Sequence, residues 1–170
     1  MRRRSLLAAL PATVALAGCS ALSAPDVRAE SGTGVVHPAD PLQIANGLQP
    51  GGNDRVYATV VGDESPNLVT EATDDSLADT LRNDGGDVFH LVMQLRSIPD
   101  APMSLMLTPA GEVRVQGDTL HAEVTVEPRD TGLDDEELGT AEELIYTSVW
   151  SLTPALDSLP TNVDLHLTHR

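Results

Sequence analysis

The densest cluster of chemistry-bearing side chains is residues 130–143 (DTGLDDEELGTAEE), which carry seven carboxylates. Their chemistry would be cation binding, since Ca²⁺ takes about six to eight oxygen ligands. The spacing argues against it. No Asp-x-Asp-x-Asp-Gly loop is present, and Asp134, Asp135, Glu136 and Glu137 are consecutive, so their carboxylates diverge. The run reads as a solvated acidic loop or a short exposed helix. The five histidines are His37, His90, His121, His166 and His169. An exported copper site would pair His with Met, as His90 with Met93, or gather Met103 and Met106. On a strand, residues three apart face opposite sides, so each pair splits across the sheet. His166 and His169 could share a metal only if a strand ended at His166. His90 and His121 fall on outward phases and could meet only if their strands were neighbours. Nucleophile patterns are weak too: there is no G-x-S-x-G, and Ser148 and Ser151 have no His/Asp signature nearby. Carboxylate pairs for glycoside chemistry usually line aromatic sugar platforms, and only Tyr57, Phe89, Tyr146 and Trp150 are aromatic. Trp150 reads as a plug in the core or at its edge. Gly51-Gly52 and Gly85-Gly86 lead into Asp54 and Asp87, which repel phosphate. No N-x-[ST] acceptor follows any Asn, so no N-glycan is expected. No catalytic residue, metal ligand or cofactor is assigned.

One side chain remains with a defined chemistry. Cys19 is the chain's single Cys. One thiol excludes an intrachain disulfide, a Cys-based zinc finger and a CxxC redox pair. It follows Arg2, Arg3 and Arg4 and then an apolar run over residues 6–17 (LLAALPATVALA). That run is too short for a bilayer, which needs about 20 residues, and it fits the apolar core of a secretory signal. Arg3-Arg4-Ser5-Leu6-Leu7 resembles the twin-arginine export pattern. Leu16-Ala17-Gly18-Cys19 resembles a lipobox, in which signal peptidase cuts before a Cys whose thiol then carries lipid. The lipobox resemblance implies a two-chain lipid on Cys19. Two chains anchor durably where one holds only marginally, at about 0.8 kcal/mol per buried methylene. Twin-arginine export implies translocation after folding.

Removing residues 1–18 takes away three Arg and no acid. Cys19 to Arg170 then carries seven Arg, no Lys and 26 acidic residues, a formal charge of −19. A basic nucleic-acid-binding surface is excluded, because phosphates would be repelled. Lys is strongly hydrated on a flexible stem, and Arg is its weakly hydrated replacement. Self-repulsion at this charge is largely screened where the Debye length falls to about 3 Å, near 1 M salt. The composition and the two signal motifs together resemble haloarchaeal lipoproteins exported by the twin-arginine route. The likeness is confined to signal and composition and reaches no catalytic or binding residue. A high-GC bacterial source would also favour Arg over Lys, but accounts less well for the acid excess.

The elements that must carry this surface read as β. Residues 20–54 lack a sustained apolar period and read as a flexible tether starting at lipidated Cys19, with Val35-Val36 and residues 42–44 as a docking edge. From residue 55 onward, segments 55–61, 88–96, 104–108, 112–116, 119–127, 144–152 and 162–168 read as strands. Residues 88–96 place Phe89, Leu91, Met93 and Leu95 on one face and Val88, His90, Val92, Gln94 and Arg96 on the other. Both phases hold apolar side chains, so this strand is central or is covered by a partner. Gln116-Gly117-Asp118-Thr119 fits a type II′ hairpin that pairs Val115 with Leu120 and Val113 with Ala122. Residues 108–112 read as a second tight turn, giving three consecutive antiparallel strands. One short helix is expected, capped by Asp74-Asp75-Ser76, with Leu77 and Leu81 on one face and Gly85-Gly86 as its stop.

The expected fold is therefore mainly β: an antiparallel β-sandwich of Ig-like architecture with at most one short helix. The expected organisation is a signal peptide at 1–18, a tether at 19–54 and the sandwich at 55–170. The function expected is a non-enzymatic, lipid-anchored binding or structural accessory module on the extracytoplasmic face of the cell membrane. Its partners would be the membrane, through Cys19, and a cell-surface protein. The alternatives are a small-molecule or cation-binding auxiliary of a transport system, or a carboxylate- or metal-dependent enzyme.

Overall fold

The computed structural model describes residues 26–39, 41–62, 75–82, 88–107, 113–154 and 156–170. The chain folds as β1 (Asp26–His37), β2 (Val56–Val61), α1 (Asp75–Arg82), β3 (Phe89–Ser97), β4 (Met103–Leu107), β5 (Val113–Gln116), β6 (Thr119–Pro128), α2 (Asp135–Thr140), β7 (Leu144–Thr153) and β8 (Asn162–His169). One sheet runs β2-β3-β7-β1. The other is built on β6, with β4 and β5 on one side and β8 on the other.

β1 joins the two sheets. Asp26 and Val27 pair with β5, while Arg28 to His37 pair with β7. A bulge between Ala29 and Ser31 leaves Glu30 as the extra residue. An unpaired residue of this kind bends a strand, which lets it pass from one sheet to the other.

The main core lies between the sheets. Phe89, Leu91, Met93 and Leu95 of β3 share it with Leu105, Leu107, Val113, Val115, Leu120, Ala122, Val124 and Val126. This is the face that alternation grouped on β3 and the phase it set inward on β5 and β6. The hairpin register is the expected one, with Val115 opposite Leu120 and Val113 opposite Ala122. Gly117 sits at φ 63°, the left-handed first turn position a type II′ turn needs.

The second phase of β3 explains its double apolarity. Val92 and Val149 pack outward against Leu42, Ile44 and Leu77, forming a small second core. The strand is central, between β2 and β7, and its outer face is covered by residues 41–48 and α1. Leu42 and Leu77 are fully buried, and burial of each such side chain stabilises by about 1.5–3 kcal/mol. Polar residues lie under the same cover. The Leu48 N–H donates to Gln94 Oε1 at 2.7 Å, and Gln94 Nε2 donates to Thr147 Oγ1 at 3.2 Å. Gln94→Met keeps the volume but leaves a buried N–H without its acceptor, a loss of about 1–3 kcal/mol. Urea unfolding at constant molar salt is expected to show that drop, with an unchanged m-value.

Four expectations need correction. Residues 26–37 are not tether but a strand, which forms the edge of its sheet along Arg28–His37, where Val35-Val36 was expected to dock, and residues 41–48 help cover the sandwich. Among the described residues there are two short helices rather than at most one, because the acidic run takes the second of its two readings and forms the short exposed helix α2. The sandwich is not purely antiparallel, since β8 runs parallel to β6. Finally, β4 and β5 do not pair with each other. Leu107 lies opposite Val124 and Val113 opposite Ala122, so both strands run along one side of β6. Residues 108–112 lie outside the described residues, as do Gly85 and Gly86. Helix α1 falls where its Leu77/Leu81 spacing put it, with Leu77 buried, while Asp74 of the expected cap lies outside the described residues.

Candidate functional site

The lipidation and export residues, Cys19, Arg3, Arg4, Leu16, Ala17 and Gly18, lie outside the described residues. What the structure fixes is where the chain after them enters the fold. Only residues 20–25 separate Cys19 from Asp26, the first residue of β1.

Among the polar groups, Arg96 and Glu143 form the most elaborated node. Arg96 lies near the end of β3, and Glu143 immediately precedes β7. Their side chains are only 13% and 20% exposed. Arg96 Nη1 donates to Glu143 Oε2. Arg96 Nε donates to the Asp54 carbonyl at 2.9 Å, and Nη2 donates to the Gln49 carbonyl at 2.8 Å. The Gly51 N–H donates to Glu143 Oε1 at 2.6 Å. One planar guanidinium thus satisfies three acceptors in different directions, which a Lys ammonium on a single point cannot reproduce. The node pins the 49–54 loop over the sheet end.

The hydrogen bond from Arg96 holds the Glu143 carboxyl below its ordinary value of 4.5; burial opposes this, while the Gly51 N–H and the Arg96 charge assist. A carboxylate whose pKa is depressed on folding contributes stability above its unfolded pKa. That contribution is lost as pH falls through the folded value. The stability gap between the native chain and Glu143→Gln is therefore expected to be largest at neutral pH. It should shrink toward zero as pH falls below the ordinary carboxylate range, measured by urea midpoints across a pH series.

The acidic run is organised by helix capping. Asp134 is the N-cap of α2, and its side chain accepts from the N–H groups of Glu136 at 3.0 Å and Glu137 at 2.8 Å. Glu137 Oε2 accepts from the Asp134 N–H at 3.1 Å, completing a capping box. Early carboxylates also suit the positive end of a helix. Among the described residues, no group of three or more His, Cys, Asp or Glu side chains is arranged to hold a metal ion.

The histidines are dispersed. His90 and His121 belong to different sheets and do not meet. His121 Nδ1 lies 3.0 Å from Asp164 Oδ2 on the exposed face shared by β6 and β8. Glu123 and His166 are the next pair in that register, and Thr125 and Thr168 contact each other at 3.3 Å. β8 continues to His169, so the three-residue gap from His166 splits across the strand. Met93 is fully buried in the core. Met106 Sδ accepts from the Tyr146 hydroxyl at 3.8 Å. His90 lies in a contact that strand patterning could not reveal. The β3–β7 register sets it opposite Ser151, with Nδ1 and Oγ 3.4 Å apart, both residues buried. The signal was present only as two outward phases on two long strands, and their mutual register is not written in either.

On the inner face, Trp150 and Tyr146 of β7 extend across β1. Trp150 is a partly buried residue at the core edge and Tyr146 is fully buried. Arg129 lies 5.2 Å from the centre of the Tyr146 ring and donates through Nη2 to the Gly34 carbonyl at 2.9 Å. Burial pushes the Tyr146 hydroxyl above its ordinary value, with the Arg129 charge opposing. Arg129 and Tyr146 thus tie β6, β7 and β1 together, while Trp150 Nε1 is buried without a hydrogen-bond partner among the described residues.

Neither described helix is long and apolar enough to cross a membrane. No protein-family model matches the chain, and neither curated proteins nor solved structures yield a match to it.

Proposed function

We propose that this chain is a lipid-anchored, non-enzymatic module on the extracytoplasmic face of the cell membrane, a sandwich that offers its surface to a cell-surface partner. The observation that carries the reading is a sequence order. Arg3-Arg4-Ser5-Leu6-Leu7, a short apolar run and Leu16-Ala17-Gly18-Cys19 come in succession, and a folded sandwich begins at Asp26. Cleavage before Cys19 and acylation of its thiol would leave the domain attached by its own amino terminus. The acidic, Lys-free surface suits an environment of molar salt. The buried polar side chains support a scaffold role, since Arg96, Glu143 and Gln94 hold loops to the sheet.

The test is fractionation of cells in native salt. The native chain is expected in the membrane fraction and released only by detergent. Cys19→Ser keeps the export motif but removes the thiol, and is expected to accumulate uncleaved or to leave the lipid-anchored pool. A native chain found entirely in the cytosolic fraction would refute the proposal.

A further inference from the structure

The place where β1 enters the fold limits how the anchored domain can stand. Resting on the lipid-anchor reading above, we infer that the sandwich is barred from standing inverted on the membrane. Averaged over the stances left open, its β5–β6 turn and the start of β8 lie closer to the lipid headgroups than the end carrying α2 and Ile98.

The geometry follows from strand directions. β1 runs from Asp26 toward His37. Because β1 bends at its bulge, the height is taken from its partner β7, whose ten residues rise about 30 Å. β5 runs antiparallel to it, with Val113 opposite Val27 and Arg114 opposite Asp26. Val115, Gln116 and the Gly117-Asp118 turn therefore project past the start of β1. The start of β8 is tied to the same turn: the N–H groups of Thr161 and Asn162 donate to the Asp118 carbonyl at 2.9 and 3.1 Å. At the opposite end, His37 pairs with Ile145, Ser97 pairs with Leu144, and α2 precedes β7. That end also carries Ile98, which is 58% exposed.

The connection from Cys19 to Asp26 is seven residue steps, which reach at most about 25 Å when fully extended. Inverting the domain would put the α2 end on the membrane and lift Asp26 by about the length of β7, roughly 30 Å. The connection cannot span that. A tether of some thirty residues would have allowed every orientation. With six intervening residues, the domain cannot stand on its α2 end, and the Gly117-Asp118 turn stays within reach of the headgroups.

The test uses the full lipidated chain on intact cells in native salt. Single labels are introduced through Gln116→Cys and Gly139→Cys, both at exposed positions; a Cβ at Gly139 meets nothing within 4 Å. A headgroup-linked acceptor dye is placed in the outer leaflet. Energy transfer from the Gln116→Cys label is expected to exceed that from the Gly139→Cys label several-fold. Inserting about thirty Gly/Ser residues after Ala21 is expected to abolish the difference. Equal or reversed transfer on a chain that stays membrane-bound would overturn this orientation bias while leaving the anchor intact. A difference that survived the long insertion would overturn the short connection as its cause. A chain that fails to partition with the membrane would overturn the anchor and this inference with it.

Discussion

Arg96→Ala is expected to lower the stability of the sandwich by about 2–4 kcal/mol. This is near the lower part of the range for breaking a buried pair from one side, because Glu143 keeps some exposure. Three losses coincide. The Glu143 carboxylate loses its charged partner, and the carbonyls of Asp54 and Gln49 lose their donor. The 49–54 loop then hangs on the Gly51 contact to Glu143 alone among the bonds of this node. Arg96→Lys restores the charge but not the fork, and should recover less than half of the loss. Urea unfolding of the single variants, Glu143→Gln and the double variant forms a cycle that isolates the pair. An Arg96→Ala variant within about 0.5 kcal/mol of the native chain, the ordinary range for an exposed side chain, would refute the node's role.

The second large effect concerns the glycines of β1. A Cβ at Gly34 would stand 2.2 Å from the Tyr146 hydroxyl oxygen, and one at Gly32 would stand 2.3 Å from Trp150 Cδ2. Both distances are far inside van der Waals contact. Overfilling a packed site commonly costs about 1–3 kcal/mol. The two variants should differ in kind. Tyr146 is fully buried with nowhere to turn, so Gly34→Ala is expected at the top of that range, with partial rescue by Tyr146→Phe. Trp150 sits at the core edge, so Gly32→Ala is expected to swing the ring toward solvent at lower cost. Trp150 is the chain's one Trp, so its fluorescence should shift to longer wavelength in Gly32→Ala and remain near native in Gly34→Ala. Native-like stability in Gly34→Ala would contradict the packing described.

The same two glycines show why β1 was not legible as a strand. A half-buried strand is read from apolar side chains at every second residue. In β1 two of the inward positions carry no side chain at all, and the space is filled by Tyr146 and Trp150 of the neighbouring strand. The apolar signal for β1 is thus written on β7. β3, β5, β6, β7 and β8 carry their own inward residues, and alternation placed them to within a residue or two. The β5–β6 register was also legible, because a two-residue turn with Gly first fixes both turn type and pairing.

Other features were out of reach for different reasons. Parallel pairing of β8 with β6 depends on a connection whose path no local pattern encodes. The β4–β5 segment offered a Pro and a Gly, which read as a reversal, whereas both strands follow β6 in the same direction. Helix α2 was legible only as one of two readings of the acidic run, because it buries no side chain and so has no apolar period to decide between loop and helix. Its one local sign was Asp134 followed three residues later by Glu137, a capping-box spacing. For the site, the residues with assigned chemistry were legible as a linear motif, because a signal is recognised as extended sequence. The Arg96–Glu143 node and the His90–Ser151 contact needed the β3–β7 register, which no single segment contains.

The account rests most directly on the covalent state of Cys19. Intact-mass spectrometry of the native chain, extracted by detergent from membranes in native salt, measures it. The expected mass is that of Cys19 to Arg170 plus a thioether-linked two-chain lipid, with residues 1–18 gone. A mass matching the unprocessed chain with a free thiol at Cys19 would contradict it.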